Sequence, residues 1–116
     1  MHNSAKAQPI YRADDNEFIG YILERDQMWL PLNLFGYPLD SPVSTCEEAV
    51  KIVNDRGLAS LAETWQYYDE NQEGWFSCSI VEVKKDSLTL RITDYGHPNA
   101  LQTFTLHNPS VRTIRK

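Results

Sequence analysis

An α+β fold follows from three features of this chain. Ser44 to Trp65 carries a complete helix signature, the half before it is broken by proline and turn residues into short apolar runs, and the half after it alternates as strands. The predicted order is an N-terminal β-hairpin or three-strand element, one main helix with a short second helix, then an antiparallel meander of about four or five strands, strongly curled or barrel-like.

The helix is the best-defined element. Ser44 followed three residues later by Glu47 forms a capping box, in which the hydroxyl accepts from the Glu47 amide and the carboxylate reaches back. Cys46, Ala49, Val50 and Val53 recur at the spacing of one helical face, and Glu47, Glu48, Lys51 and Asn54 lie beside or opposite it. Gly57 is the expected left-handed stop, which ends the helix near Arg56 and turns Leu58 back toward Val53. Leu58, Leu61, Ala62 and Trp65 repeat the same spacing and predict a second short helical piece. Two helices meeting at a glycine raise the question of DNA reading. The second segment, LASLAETW, has no basic residue with which to reach a base edge.

Before the helix, residues 1–8 are small and polar and read as a flexible tail, leaving residues 9–116 as a single α+β domain. Ile10 to Ala13 predicts a short strand, turned at Asp14, Asp15 and Asn16 into a second from Glu17 to Leu23. The second strand is apolar on both sides and so belongs at the centre of its sheet. After the polar turn Glu24 to Gln27, Met28 to Phe35 predicts a strand that Pro31 confines to an edge or a bulge. Gly36 to Pro42, with two prolines, is a fixed loop leading to the helix.

After the helices, Trp65 to Asp69, Trp75 to Val83, Leu88 to Thr93 and Leu101 to His107 read as strands, with a last short one from Val111 to Ile114. The clearest is Leu88, Leu90 and Ile92 alternating with Thr89, Arg91 and Thr93.

The totals narrow the function. With 116 residues the chain is large enough for one core without staples, and a formal net charge of −5 argues against a broad phosphate-binding face and so against nucleic acid as partner. No apolar run is long enough to cross a membrane, and the start lacks the apolar centre of a secretory signal, which points to a cytoplasmic protein. Cys46 and Cys78 have no ligand-spaced neighbour and read as reduced core residues, with a disulfide between them as the alternative. His2, His97 and His107 form no spaced metal motif, so no metal and no cofactor is expected.

Trp29 and Pro31, then Leu34, Phe35, Gly36, Pro38 and Leu39, then Glu47, Glu48 and Ala49, then Arg56, Gly57, Leu58, Leu61, Ala62 and Trp65 form a spaced pattern over roughly the first half of the chain. It resembles small, uncharacterised bacterial single-domain proteins, some carried on mobile gene cassettes. The resemblance implies a bacterial origin and self-association, and no activity.

Four candidate clusters remain. Asp94, Tyr95 and His97 lie in the loop DYGHPNA, where a carboxylate could orient a histidine as general base, although Asp, Gly and Pro there also serve as turn chemistry. No serine or threonine sits in a strained turn that would expose a nucleophile. Trp65, Tyr67, Tyr68 and Trp75, with Tyr95, supply aromatic area either for a core or for a binding surface, and strand alternation sends Trp65 and Tyr67 to one face and Tyr68 to the other. Asp69, Glu70 and Glu73 form an acidic turn, as do Asp14, Asp15 and Glu17, and both read as solvated. The basic end Arg112, Arg115 and Lys116 reads as a charged sheet edge.

The functional expectation is a small binding or interaction protein, a homodimer that engages an unknown protein or small-molecule partner through its aromatic β surface. The alternative is a small enzyme or ligand-dependent regulator with a pocket between helix and sheet near Asp94, Tyr95 and His97.

Overall fold

The computed structural model describes residues 7–116. Its contacts divide the chain into two compact units, one ending at Ser60 and the other Leu61–Lys116.

The first unit is a three-stranded antiparallel sheet in the order β1-β2-β3 with one helix on it. β1 (Ala7–Tyr11), β2 (Phe18–Arg25) and β3 (Met28–Leu32) place the doubly apolar strand at the centre, as its sequence demanded. β1 begins before the strand expected at Ile10, because Ala7 and Gln8 pair with Leu23 and Ile22; the rest of the expected tail lies outside the described residues. Asp26 and Gln27 close the β2–β3 hairpin with φ of 54° and 66°, the positive pair that a tight two-residue hairpin requires. Pro31 lies on edge strand β3, whose outer side is met by bridges from Val43 and Pro38.

α1 (Cys46–Arg56) starts one residue later than the expected cap. Ser44 and Thr45 each precede a glutamate by three residues, so two capping boxes overlap in the sequence. Thr45 takes the role: its hydroxyl accepts from the Glu48 amide at 3.1 Å, while the Ser44 and Thr45 hydroxyls both donate to the Glu48 carboxylate. Ala49 and Val53 are fully buried against Ile19, Ile22 and Leu39, with Cys46 and Val50 half-buried beside them.

The position after the helix is glycine for a different reason from the one expected. Its φ and ψ of −55° and −61° are right-handed, and its amide donates to the Val53 carbonyl at 2.8 Å. What forbids a side chain is β2 passing alongside, since a Cβ there would lie 2.4 Å from the Ile19 carbonyl oxygen and 2.6 Å from that of Val53. Gly20 answers from β2, where a Cβ would lie 2.4 Å from the Leu32 carbonyl oxygen. Gly57→Ala is therefore expected to destabilise by about 1–3 kcal/mol through overpacking, although alanine is the better helix former. A urea denaturation midpoint that does not fall would remove this account.

The loop after β3 is built on Asn33, which is fully buried. Its Oδ1 accepts from the Phe35 and Tyr37 amides at 3.1 and 2.9 Å, and its Nδ2 donates to the Ser60 hydroxyl at 3.3 Å. The second helix predicted over Leu58 to Trp65 is a single 3₁₀ turn, Ala59–Ala62, whose buried residue is Ser60. Ala62 is exposed, so the helical spacing there is coincidental.

The second unit is a five-stranded antiparallel sheet in the order β7-β6-β5-β4-β8. β4 (Trp65–Asp69), β5 (Gly74–Lys84), β6 (Ser87–Ile92) and β7 (Thr103–His107) run as a meander, and β8 (Ile114–Arg115) returns to pair with β4. The ladder is open, with β7 and β8 at its two edges, in place of the curled or barrel-like arrangement expected from the sequence. A bulge between Ile80 and Glu82 turns Val81 out to solvent. Cross-strand register sorts the residues: Trp65, Tyr67, Cys78, Leu88, Leu90, Ile92 and Ile114 share one face and are all buried. Gln66, Tyr68, Trp75, Ser77, Arg91, Thr103, Thr105 and Arg115 share the other. Among the described residues no helix is long and apolar enough to cross a membrane.

Candidate functional site

Alternation along β4 places the candidate aromatics in two different settings. Trp65 is completely buried opposite Cys78, whose thiol is pushed up to about 12 by desolvation. Both cysteines are free, Cys78 in the core and Cys46 only half-buried. Tyr67 is buried against Phe104 and Phe76, at ring separations of 4.7 and 6.2 Å.

Beyond Tyr67, β4 ends at Asp69, and this carboxylate gathers four donors. Oδ1 accepts the amides of Asn71 and Gln72, at 2.9 and 3.1 Å, in the turn that leads into β5. Oδ2 accepts the Tyr67 hydroxyl at 3.1 Å and meets His97 Nε2 at 2.7 Å. The Asn99 amide donates to His97 Nδ1 at 2.9 Å, so in this arrangement the ring proton sits on Nε2 and points at Asp69. The hydrogen bond from His97, ahead of those from Gln72, Tyr67 and Asn71, holds the Asp69 carboxyl below the usual carboxylate range against the opposing effect of burial. Burial first, and then the bond to Asp69, raises the Tyr67 phenol.

The expected pairing of His97 with Asp94 is therefore replaced. Asp94 is three residues from His97 and serves the turn: its Oδ1 accepts the Gly96 amide at 2.9 Å, its Oδ2 the Ser77 amide at 3.4 Å, and its carbonyl the His97 amide at 3.1 Å. Tyr95, at the loop tip, is 82% exposed. His97 is buried, edge-on to Phe76 at 4.7 Å. Of the acidic turn expected to be solvated, only Glu70 and Glu73 are exposed, while Asp69 is half-buried. The pocket beside this network measures about 140 Å³ and is lined by Tyr67, Phe104, Asn99, Gln102 and Thr103 together with the Asp69–His97 pair. It is made by the sheet and the loop after β6.

The opposite face carries the second cluster. Tyr68, 37% exposed, lies opposite Trp75 with ring centroids 5.5 Å apart and edges toward faces. The Arg115 guanidinium covers the indole at 4.0 Å and donates to Gln66 Oε1 at 2.8 Å. The sequence singles out Tyr68 and Trp75 but not Arg115 or Gln66 as their neighbours, because that meeting depends on β8 returning to β4. Among the described residues no three His, Cys, Asp or Glu side chains converge as a metal site.

Compared with models of known protein families, with curated proteins and with solved structures, the chain matches none.

Proposed function

We propose that this chain is a small non-catalytic binding protein that works as a homodimer and captures an acidic segment of another protein on the outer face of its five-stranded sheet. The observation that carries this reading is the Tyr68–Trp75 pair with Arg115 over the indole. Tyrosine, tryptophan and arginine are the residues that dominate protein interfaces, since each joins a large contact area to a polar or charged tip. Here the opposite face already holds Trp65 and Tyr67, so the core does not need the outer pair. Lys84 meets Glu82 at 4.0 Å on this face, while Arg91 and Arg115 add positive charge to it, in a chain whose formal net charge is −5. That local sign favours an acidic partner, while the overall charge disfavours a polyanion as long as a nucleic acid. The free cysteines suit a reducing compartment, in keeping with a cytoplasmic protein.

A general-base role for His97 has little geometric support. Both ring nitrogens are committed, one to Asp69 and one to the Asn99 amide, and the side chain is 3% exposed. A substrate proton could reach it only after one of those bonds opened. The pocket still supports a second reading, a site for a small polar molecule between Phe104 and the Asn99, Gln102 and Thr103 side chains.

The test compares proteins captured from a bacterial lysate by the wild type, Tyr68→Ala, Arg115→Ala and Tyr95→Ala, each first shown to be folded by circular dichroism. The expected result is a captured band present with wild type and Tyr95→Ala and reduced at least tenfold with Tyr68→Ala and Arg115→Ala. Equal capture by all four would overturn the surface reading. Native mass spectrometry of gently isolated protein with a retained small molecule would favour the pocket instead.

A further inference from the structure

We infer that the outer edge of β7 is the dimer interface, formed by antiparallel addition of β7 from a second copy of this chain about a two-fold axis through Thr105. This rests on the homodimer reading above but not on what the aromatic face binds.

The hydrogen-bond parity of β7 shows which of its groups are free. At one end of its ladder with β6 the Ile92 amide donates to the Gln102 carbonyl at 2.9 Å, and at the other the Asn108 amide donates to the Asp86 carbonyl at 2.7 Å. In an antiparallel pair the residues that exchange bonds recur every second position. Phe104 and Leu106, paired with Leu90 and Leu88, therefore turn their backbone groups toward β6. The amides and carbonyls of Thr103, Thr105 and His107 point the other way, and β7 has no strand beyond it among the described residues. All three residues are exposed.

The three other outer strands of the two sheets are each guarded. β8 is two residues long and carries Arg115, with Lys116 following. β1 contains Pro9, and β3 contains Pro31 and is covered by Val43 and Pro38. β7, with the sequence TFTLH, has no lysine, arginine, proline, glycine or bulge, which are the devices that ordinarily keep an edge from pairing.

The strand is also complementary to itself. Centred on Thr105, the two-fold sets Thr105 opposite Thr105 of the second copy, and Thr103 opposite its His107, as the hydrogen-bonded pairs. It then sets Phe104 opposite the second copy's Leu106, and Leu106 opposite its Phe104, as the close non-bonded pairs on the apolar face. No charged pair is brought together, and no residue is shifted to the wrong face. A register moved by one residue would lose this, because it would aim Phe104 and Leu106 at threonine and histidine. The axis stands perpendicular to the sheet, so both Tyr68–Trp75 clusters lie on the same side of the joined sheet, ready for a partner that offers two acidic segments.

The test uses the full chain and native mass spectrometry over a concentration series. Wild type is expected to give the doubled mass. Thr105→Pro removes an outward amide without touching the β6 ladder, and it is expected to weaken dimerisation at least tenfold. If that variant fails to fold, Thr105→Lys and Thr105→Glu replace it, since each puts like charges together across the axis on the solvent side. Each alone should be monomeric, and an equimolar mixture should recover the doubled mass as a heterodimer. A wild-type dimer that survives all three substitutions overturns the β7 interface and leaves the homodimer reading standing. A wild-type monomer at every concentration overturns both, while capture of an acidic partner through Tyr68 would be unaffected.

Discussion

Trp65→Ala is expected to destabilise the chain by about 3–5 kcal/mol, the range for removing a large buried aromatic side chain. Domains of this size are stable by only about 5–15 kcal/mol, so the loss takes a large share of the total and, at the lower end of that range, leaves the variant close to unfolded at room temperature. Trp65 has no exposed surface, packs opposite Cys78 on the buried face of β4, and holds the Lys116 ammonium 5.6 Å above its ring. Three residues on, Tyr68 stands on the other face of the same strand. Tyr68→Ala removes an edge-to-face contact with Trp75, worth about 0.5–1.5 kcal/mol beyond area burial, from a residue already 37% exposed, and should cost less. Urea denaturation of the two variants side by side is the measurement. Comparable losses would mean that both tyrosine and tryptophan serve the core, and the proposed binding face would then have no surplus aromatic to offer.

That contrast is legible in the sequence from alternation alone, which sends Tyr67 and Tyr68 to opposite faces of one strand. Other features written in local chemistry are legible too: the inward face of α1 at Ala49 and Val53, the central place of β2, the limits of β4, and the Leu88, Leu90, Ile92 side of β6. What stays hidden depends on segments far apart in the chain. Gly57 looks like a helix stop from its position, but its need arises from the Ile19 carbonyl, thirty-eight residues earlier in sequence number (57 − 19). Leu58 to Trp65 has helical spacing over too short a length to outlast the start of β4 at Trp65. Asn33 is an ordinary polar residue in the sequence, and only the fold makes it the buried hub of the Phe35–Tyr37 loop. The nearest carboxylate to His97 in sequence is Asp94, yet tight-turn geometry commits that side chain to the Gly96 and Ser77 amides, and the sheet brings Asp69 from the end of β4 instead.

Removing that carboxylate is expected to have the second largest effect. Asp69→Ala leaves the Tyr67 hydroxyl and His97 Nε2–H without their acceptor in a buried setting, while the Asn71 and Gln72 amides can turn to water. At about 1–3 kcal/mol for each of the two orphaned groups, and with both lining a pocket that water can enter, the loss should fall in the lower part of the doubled range, roughly 2–4 kcal/mol. Asp69→Asn keeps the shape and one acceptor oxygen and should cost less, which makes it the variant for asking what the charge does. The folded-state pKa of Asp69 is depressed, so its ionised form contributes stability that is fully present above the unfolded carboxyl value near 3.8 and is lost as pH falls through the lower folded value. Asp15, lowered to about 2 by its bond with Arg12, and Asp40, lowered by the Ser41 amide and Arg56, act in the same direction and are common to both proteins. They cancel in the difference between wild type and Asp69→Asn. On the acid limb, below about pH 4, the stability gap between those two should therefore narrow as the pH approaches 2. A gap that stays constant to pH 2 would mean that packing against Phe76, rather than the ionised carboxylate, holds His97 in place. In that case the carboxylate, still ionised at neutral pH, would serve the network only as a hydrogen-bond acceptor that asparagine can replace.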